Sequence, residues 1–450
     1  MKDAIEPFNR AELTGAPLHE PAIVAQSINE IQREKPGASF DALILDAKLR
    51  QSLVTMRSLG RRRMRVAALE IASIAKSETS QRVAAFSSRW CQRAFIAPGY
   101  EQDSESFLSY LKQVLDAIGA SVLITSSDGT LAVIRRYRVE LERLVHIPLA
   151  KESALAIAVD KDQTLEIAKR SGIYVPGGVH INVVDEVTAA IREVGLPAVV
   201  KPVESWLWGE DQGVRLSCIV VTTLDEARLA VEELTRLGGT ILLQQLLSDR
   251  RESVHLMYAN GVVYARFAQW ARRTQPQLGG TSVYRQSIAV PQDIGEQSER
   301  LVREIDLEGY SEIEFRRDST GKPHLMEINP RLSASIEVAI RAGVDFPYLL
   351  YQWAMGNKPD HVEGYRAGCW MRHLGGDIVT TLQTFKQPGR PDVTPSAKAL
   401  WEFFASFLVP AHYDYLDWSD PLPAWVASTD FTSFLMKRLS SHLLERTHLK

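Results

Sequence analysis

Residues 310–331 constrain the fold of this chain more than any other stretch. Residues 311–315 and 324–329 alternate polar and apolar side chains, and residues 318–322, Asp-Ser-Thr-Gly-Lys, have the composition of a turn. Two alternating runs on either side of such a turn predict a β-hairpin. Because strand side chains repeat every second residue, the pattern also indicates which of them share a face.

The predicted hairpin brings polar side chains together. With Thr320 and Gly321 at the tip, Glu314 lies directly opposite Glu327, and Asn329 shares their face. Opposed carboxylates repel each other unless a cation lies between them. Two carboxylates and an amide oxygen are ligands suited to Mg²⁺, which completes its shell with water and substrate phosphates. A solvated hairpin edge is the alternative, and the spacing alone leaves both interpretations open.

The composition excludes some classes of function. The chain has 450 residues, of which 45% are hydrophobic and 24% charged, as expected for a globular protein of roughly two to four domains. A net charge of −3 gives no bulk basicity for nucleic acid. There is no apolar signal core at the N-terminus and no apolar run long enough for a bilayer, so we expect a cytoplasmic protein without a membrane partner.

The cysteines agree with a reducing compartment. Cys91, Cys218 and Cys369 lack metal-binding spacing and cannot all pair with one another. We therefore expect three free thiols, each buried in the folded protein.

The first part of the chain predicts a parallel sheet. Residues 42–45 form a short apolar strand, 50–59 a helix and 64–69 the next strand, which is the spacing of a βαβ unit. The Gly-x-Gly-x-x-Gly pattern of dinucleotide sites is absent. Asp46 and Asp128 follow strands at positions where open α/β sheets place ligands, although loop or helix N-cap roles are the favoured interpretation.

Two motifs in the second part of the chain suggest an anionic, ring-containing ligand. Lys201 lies at the end of the apolar strand 196–202. If its side chain is buried, it requires an anionic partner. The alternative is a lysine whose ammonium extends to the surface. Gln244 and Gln245 interrupt an apolar strand, and their amides need partners. A nucleobase edge is one possible partner, and a satisfied pair within the core is the other.

A loop rich in glycine and arginine follows a predicted hairpin at Asn260-Gly261. Arg272 and Arg273 precede Gly279-Gly280, a composition that suits closure over phosphate, with the arginines forking onto oxygens. An exposed loop with solvated charges is the alternative. Residues 214–221 predict one strand, and the last predicted helix begins at Ser433.

Taken together, these motifs resemble the ATP-grasp superfamily over about residues 40–360. The most specific part is Ile-Glu-Phe (313–315) followed by Leu-Met-Glu-Ile-Asn-Pro-Arg (325–331). Supporting parts are Ser-Asp-Gly-Thr (127–130), Asp160-Lys161 and Pro-Ala-Val-Val-Lys-Pro (197–202). The chain departs from the family in the loop after Lys201, which lacks a dense glycine run and carries two tryptophans.

The resemblance implies a fold of the α/β (α+β) class. An N-terminal parallel α/β lobe is followed by two α+β subdomains that clasp ATP, and by a C-terminal extension. The expected division is an N-terminal extension (1–38), an α/β domain (39–150), an ATP-grasp domain (151–362) and a helical C-terminal region (363–450).

The resemblance also implies roles for particular side chains. Glu314, Glu327 and Asn329 match the family's ligands for Mg²⁺, with Mn²⁺ as an alternative ion. Lys161 and Lys201 match its two phosphate-binding lysines. The remaining matches are the adenine-binding hinge (Gln244, Gln245, Leu247), a ribose contact (Glu252), the arginine beside the metal motif (Arg331), and a phosphate or acyl-phosphate clamp (Arg272 or Arg273).

The activity that the resemblance implies is ATP-dependent carboxylate–amine ligation. An acyl-phosphate forms, an amine attacks it, and ADP and phosphate are released. The expected substrates are a small carboxylate and a small amine, amino acids among them, and a homodimer is one expected assembly. Biotin-carboxylase-like or carbamoyl-phosphate-synthase-like activation of bicarbonate is the enzymatic alternative, and an ATP-binding module without catalysis is the alternative from another class.

Overall fold

The computed structural model describes residues 39–72, 82–209, 213–247, 250–387, 389–390 and 393–447. The predicted extension at 1–38 lies outside these residues. The described chain forms two compact units, of which the first comprises residues 39–124, 143–145 and 415–447, and the second residues 125–142 and 146–414. The predicted domain boundaries at 38, 150 and 362 stay predictions.

The strands alternate with helices in the first half of the chain and dominate its middle. The strands are β1 (Ala42–Ile44), β2 (Val66–Ile71), β3 (Cys91–Ala97), β4 (Val122–Ile124), β5 (Gly178–Ile181), β6 (Ala198–Pro202), β7 (Trp206–Trp208), β8 (Gly213–Arg215), β9 (Ile219–Val221), β10 (Ile241–Gln245), β11 (Arg251–Ala259), β12 (Val262–Gln275), β13 (Thr281–Ile288), β14 (Gly309–Arg317), β15 (Pro323–Asn329), β16 (Trp370–Arg372) and β17 (His412–Tyr413).

The helices follow the apolar periodicity of the sequence. They are α1 (Arg50–Arg61), α2 (Ser104–Ile118), α3 (Asp128–Arg136), α4 (Arg138–Leu141), α5 (Glu152–Val159), α6 (Lys161–Arg170), α7 (Val187–Val194), α8 (Leu224–Arg236), α9 (Gln292–Glu304), α10 (Glu337–Ala342), α11 (Phe346–Ala354), α12 (Leu374–Thr384), α13 (Ser396–Ala405) and α14 (Leu422–Thr447), with short 3₁₀ turns at Ala84–Ser87, Val184–Glu186 and Ser406–Leu408. Of the helices that the structure describes, none combines the length and apolar character needed to cross a lipid bilayer.

The first unit is built on the predicted parallel sheet. Its strand order is β3-β2-β1-β4, and each pairing is parallel. Strands β1, β2 and β4 are buried on both faces, which explains their near-continuous apolar sequences, whereas the edge strand β3 exposes Gln92. Helix α2 has the expected terminal signals, since the Asp103 side chain accepts a hydrogen bond from the Ser106 backbone and Gly119 ends the helix in the left-handed conformation.

The C-terminal segment returns to this first unit. Helix α14 begins at Leu422, earlier than the predicted Ser433, and packs against the 3₁₀ turn Ala84–Ser87. Asp420 just before it is buried and accepts hydrogen bonds from Arg57 Nε at 2.9 Å, Ser88 Oγ at 2.7 Å and the Arg89 backbone at 2.8 Å. A paired and fully bonded carboxylate anchors the end of the chain without an unsatisfied charge.

The second unit contains a small antiparallel sheet with the strand order β5-β10-β6-β9. Helices α7 and α8 cover one face and share with it a core that includes Val187, Val231, Ile241 and Leu243. The prediction of one strand over 214–221 is wrong. The chain bends near Leu216, so that β8 pairs with β7 in a separate hairpin and β9 joins the small sheet.

A larger sheet fills the rest of the second unit, in the order β15-β14-β11-β12-β13-β16-β17. The hairpin of β11 and β12 turns at Asn260 and Gly261, whose φ angles of 49° and 74° confirm the predicted turn. The pairings are antiparallel except that of β16 with β17. This sheet carries the hairpin predicted within residues 310–331, formed by β14 and β15.

Candidate active site

The hairpin of β14 and β15 places four polar side chains in two opposed pairs. Glu314 pairs with Glu327, and Glu312 pairs with Asn329, so all four share one face of the sheet. The predicted pairing of Glu314 with Glu327 is confirmed. Nearer the turn the register differs by one residue from the expected one, and a bulge at Met326 restores it.

Glu312 was missed by the sequence prediction. It lies two residues before Glu314, and the same alternation that placed Glu314 opposite Glu327 also puts Glu312 on their face. Asn329 links the acidic group, because its Nδ2 lies 3.4 Å from Glu312 Oε2 and 3.3 Å from Glu314 Oε1. The face therefore carries three carboxylates and one amide.

Arg251 on β11 is the cation that partly balances these carboxylates. Its Nε and Nη2 donate to Glu314 Oε2 at 2.9 and 2.5 Å. Burial raises the pKa of Glu314 to about 7, since the neighbouring charges of Glu312 and Glu327 add to burial and Arg251 offsets only part of the effect. A further cation at this face would relieve the remaining repulsion.

The donor set fits Mg²⁺ of the kind that arrives with a nucleotide. In the part of the chain that the structure describes, no group of three or more His, Cys, Asp or Glu side chains converges as a ready metal cage. Mg²⁺ does not require one, because it is usually held by one or two carboxylates together with substrate phosphates and water. Glu314, Glu327 and Asn329 provide such a partial shell on one surface.

A buried polar network supports Glu312 from behind. His255 Nε2 lies 3.1 Å from Ser253 Oγ and 3.0 Å from Gln269 Nε2, and its Nδ1 lies 2.7 Å from Tyr310 Oη. Burial, together with the charge of Arg285, lowers the pKa of His255 to about 3, so the ring is neutral. Ser335 Oγ donates to Glu312 Oε1 at 3.4 Å, and His255 Nε2 lies 3.4 Å from the same oxygen, so the network holds this carboxylate without placing a positive charge beside it.

The small sheet presents Lys201 toward the same acidic face. Lys201 pairs with Leu242, and continuation of the register between β6 and β9 brings Cys218 to its other side. Only 8% of Lys201 is exposed, and its ammonium makes no hydrogen bond or ion pair with any residue that the structure describes. Burial lowers the pKa of Lys201, and Glu327 is near enough to raise it in part. This lysine lacks the anion that its burial calls for.

Gln244 lies on the same face of the small sheet, two residues along β10 from Leu242. It is fully buried, and neither its Oε1 nor its Nε2 has a hydrogen-bond partner in the described structure. Gln245 points the other way and is exposed, while Leu247 is buried and its carbonyl accepts from Arg316 at 3.0 Å. An unpaired amide next to apolar Val199 and Leu242 suits a flat polar ring.

Lys161 stands at the start of α6, which is capped by the Asp160 side chain. It is buried, and its Nζ lies 3.0 Å from Ser205 Oγ. The charges of Lys161 and Lys201 each act to lower the pKa of the Cys218 thiol. Both predicted phosphate-binding lysines therefore lie near this thiol.

Arg331 follows the hairpin and is held by Asp128, which comes from the start of α3. Its Nε donates to Asp128 Oδ1 at 2.5 Å, and Arg215 lies 3.8 Å from the other oxygen. Burial alone would raise the pKa of Asp128, but Arg331, Arg215 and Lys161 outweigh it and lower that pKa to about 2. Asp128 thus forms an ion pair with Arg331, and its position after a predicted strand did not indicate this partner.

Three predicted site residues lie elsewhere. Arg272 is exposed, and Arg273 is buried and donates to both oxygens of Asp377 at 2.6 and 2.7 Å. Glu252 alternates with Ser253, the partner of Glu314, and so points to the opposite face of the sheet. Its carboxylate is bonded to Arg317 and to Arg250, each at 2.7 Å. Their roles at phosphate and ribose stay predictions.

The described part of the segment after Lys201 contains the antiparallel strand pair of β7 and β8. Gly213 on β8 lies against the ring of Trp206, where a Cβ would approach within 2.4 Å of the ring. The expectation that all three thiols are buried is wrong for Cys218, which is exposed. The surrounding protein nevertheless crowds this thiol enough to raise its pKa.

Comparison with known proteins relates this arrangement to a family. A sequence profile described as "ATP-grasp in the biosynthetic pathway with Ter operon" matches residues 239–374, which contain the acidic hairpin. The D-alanine–D-alanine ligase of Chromohalobacter salexigens is 24% identical over 224 residues, covering 46% of this chain and 68% of that protein. The profile match and this relative support the resemblance of the chain to the ATP-grasp superfamily.

Further known proteins are similar to parts of the chain. The carbamoyl phosphate synthase large chain of Thermus thermophilus is 26% identical over 219 residues, and the match spans 47% of this chain but only 20% of that protein. A biotin carboxylase from Campylobacter jejuni superimposes with a TM-score of 0.56 at 15% identity, covering 74% of each chain. This likeness confirms the predicted ATP-grasp fold and its mixture of parallel and antiparallel sheets.

Proposed function

We propose that this ATP-grasp protein is an ATP-dependent ligase that activates a small carboxylate as an acyl-phosphate and joins it to an amine. The observation that carries the proposal is Lys201, a buried ammonium without a partner that faces the acidic hairpin. A cation and a group of carboxylates that face each other without pairing suit a ligand carrying both phosphate oxygens and a metal ion.

The two surfaces divide the recognition of Mg²⁺-ATP between them. Lys201 and Lys161 hold phosphate oxygens, and the unpaired Gln244 amide reads the edge of the base above Val199 and Leu242. Glu314, Glu327 and Asn329 hold Mg²⁺, and Glu312 orients Asn329 from the same strand pair. When bound, the ion neutralises charge on the phosphates during transfer.

Arg331 is suited to the transferred group. Its Nε is bonded to Asp128, which fixes the orientation of the guanidinium, while its charge also acts on Glu312. A guanidinium held in this way offers its remaining N–H groups to an oxyanion without having to reorganise.

The proposed reaction needs no protein nucleophile. A substrate carboxylate oxygen attacks the γ-phosphorus, the bond to the bridging oxygen breaks, and ADP leaves. The amine nitrogen then attacks the acyl carbon, the bond between carbon and the phosphate oxygen breaks, and the proton lost by nitrogen goes to phosphate or water. The chain supplies alignment and electrostatic stabilisation through its lysines and Arg331.

An ADP-release assay with pooled substrates tests the proposal. The protein is incubated with ATP, Mg²⁺ and pools of amino acids, then with single acids and amines deconvoluted from an active pool. We expect turnover that requires one carboxylate together with one amine, and a product whose mass equals their sum minus water. Turnover with bicarbonate alone, or tight ATP binding without turnover in any pool, contradicts ligation.

The relatives give the choice of pools. The D-alanine–D-alanine ligase relative is named for the joining of two amino acids, so amino acids and dipeptides form the first pools. Bicarbonate forms a separate arm, because the carbamoyl phosphate synthase relative represents the enzymatic alternative.

A further inference from the structure

Glu312 is a buried carboxylate to which no cation of the described chain is bonded. Only 5% of it is exposed, and it forms no ion pair with a lysine or arginine that the structure describes. The other buried glutamates of the second unit, Glu252, Glu314 and Glu337, each have an arginine nitrogen within 2.9 Å. A buried carboxylate without a cation is costly, so a positively charged ligand would stabilise this position.

The groups that contact this carboxylate are neutral and lie at long distances of 3.4 to 3.5 Å. They include Asn329 Nδ2, Ser335 Oγ, His255 Nε2 and Gln269 Nε2. Well-formed N–H···O bonds in proteins are about 2.9–3.0 Å long, and those to charged groups are shorter. The Glu312 oxygens therefore retain capacity for a stronger donor than any of these neighbours.

A second acceptor beside Glu312 lacks a hydrogen-bond partner. Gln269 is 4% exposed, and its Oε1 is buried and accepts no hydrogen bond from any residue that the structure describes. The Nε2 atom of the same amide lies 3.5 Å from Glu312 Oε1, so the two side chains belong to one polar cluster. The unpaired amide oxygen calls for a donor independently of the carboxylate charge, and a cation that carries N–H groups suits both acceptors.

Arg331 lies close to this cluster without bonding to it. Its charge acts on Glu312, yet its Nε donates to Asp128 instead. Arg331 thus keeps donors for an anion while Glu312 keeps acceptors for a cation, and an acyl-phosphate approached by an ammonium has these two charges. Glu312 is two residues from Glu314 on the same face of β14, a separation of roughly 7 Å. A small amine held there lies within reach of a group bound beside the metal ligands.

We propose that Glu312 binds the ammonium group of the amine substrate, with Gln269 Oε1 as a second acceptor. This inference rests on the proposed ligase function. It names the class of amine, a basic aliphatic amine rather than a neutral carboxamide nitrogen. Glu312 serves as a binding group that aligns the nitrogen, and the proton lost by nitrogen goes to phosphate or water as in the proposed reaction. A second metal ion is the other occupant that these acceptors suit.

Calorimetric titration of ethylammonium chloride into the complex of the whole protein with Mg²⁺ and ADP tests the site without turnover. Tetramethylammonium chloride is the matched probe, because it has the same charge and no N–H group. We expect ethylammonium to bind the wild type, and to bind Glu312→Gln at least about tenfold more weakly, since a charged hydrogen bond is lost. Tetramethylammonium should bind neither protein. Glu304→Gln is the control variant, because it removes an exposed carboxylate of α9 and should leave ethylammonium affinity unchanged.

Three outcomes of this titration overturn the proposal. They are equal ethylammonium affinities in the wild type and Glu312→Gln, no binding to the wild type, and competitive displacement of ethylammonium by excess Mg²⁺. The last would assign Glu312 to a second metal ion. Far-ultraviolet circular dichroism shows that each variant is folded.

Turnover tests whether the substrate itself uses the site. The acceptors are the amine from an active pool and hydroxylamine, which is uncharged at neutral pH. Glu312→Gln should raise the KM for the amine about 10- to 100-fold and leave kcat/KM for hydroxylamine within about twofold. Equal losses with both acceptors would mean that Glu312 acts only through Asn329 and the metal ion, which overturns the proposal. If no pool supports turnover, the proposed function fails, and the calorimetric titration alone decides whether the ammonium site exists.

Discussion

Lys201 and Arg273 are two buried cations of the second unit. The resemblance implied a phosphate-binding role for Lys201 and offered Arg273, as an alternative to Arg272, for a phosphate or acyl-phosphate clamp. Arg273 forks onto both oxygens of Asp377, and Asp377 also accepts from Arg372 at 2.6 Å. Lys201 has no such partner among the described residues. The comparison teaches that burial of a cation does not mark a ligand site by itself. A buried cation that already has hydrogen-bond and ion-pair partners stabilises the fold. A buried cation without such partners is available to a ligand.

The largest expected effect is a loss of stability on removal of Asp377, the carboxylate that binds Arg273 and Arg372. Asp377→Ala leaves Arg273 and Arg372 buried without their carboxylate and should lower the free energy of unfolding by about 3–5 kcal/mol. Urea denaturation measures the loss. ATP affinity of the folded fraction should change little, and a large drop in affinity at unchanged stability would reverse the assignment of Arg273.

Substitution of Lys201 should have the opposite effects, weaker ATP binding and higher stability. Lys201→Met removes a charged hydrogen bond to phosphate and should weaken ATP binding by about 2–3 kcal/mol, roughly 30- to 150-fold. The same substitution should raise the stability of the ligand-free protein by about 1 kcal/mol, because it removes an unpaired buried charge. Titration calorimetry and urea denaturation check the two halves. A less stable variant would mean that Lys201 already has a partner.

His255 tests whether the network behind Glu312 is neutral. Burial lowers its pKa to about 3, whereas an unfolded histidine titrates near 6.5. Below pH 6.5 the unfolded chain therefore binds a proton that the folded protein excludes, so stability falls as the pH falls. His255 alone should account for a loss of about 2 kcal/mol between pH 7 and pH 5. Denaturation of His255→Asn over this range should show a correspondingly shallower slope, and an unchanged slope would show that the folded histidine takes up the proton.

The smallest effect on ATP affinity is expected at Gln244, the residue proposed to contact the base. Gln244→Leu replaces an unpaired buried amide with an apolar side chain of similar volume and should weaken ATP binding by about 1 kcal/mol. Stability without ligand should rise by a similar amount, as at Lys201. Gln245→Leu is the matched control, because Gln245 is exposed on the other face of the strand. Equal effects of the two substitutions would contradict the role of Gln244.

Features repeated within a short stretch were predictable from the sequence. Alternation placed Glu314 opposite Glu327, and the pairing is correct even though the turn is offset and a bulge compensates. Glu312 obeys the same alternation and was available to the same reasoning. The apolar strands of the parallel sheet and the Asn260-Gly261 turn were likewise predictable, because local periodicity and backbone conformation determine them.

Features that depend on long-range contacts were not predictable. Asp128 and Arg331 are 203 residues apart in the chain, and only the folded structure pairs them. The bond of Arg251 to Glu314 and the closure of Arg273 onto Asp377 are of the same kind, with separations of 63 and 104 residues. The bend near Leu216 separates β8 from β9 and exposes Cys218. Composition identified these residues as polar or charged but did not indicate their partners.

Calorimetric titration of ATP into wild-type protein and Glu327→Gln, with and without Mg²⁺, tests the central claim most directly. Glutamine keeps the size of the side chain and removes the charge opposite Glu314, so the variant should stay folded. The proposed site predicts that Mg²⁺ tightens ATP binding to the wild type by at least tenfold and has little effect on the variant. An equal gain from Mg²⁺ in both proteins would contradict the assignment of the hairpin face as the metal site.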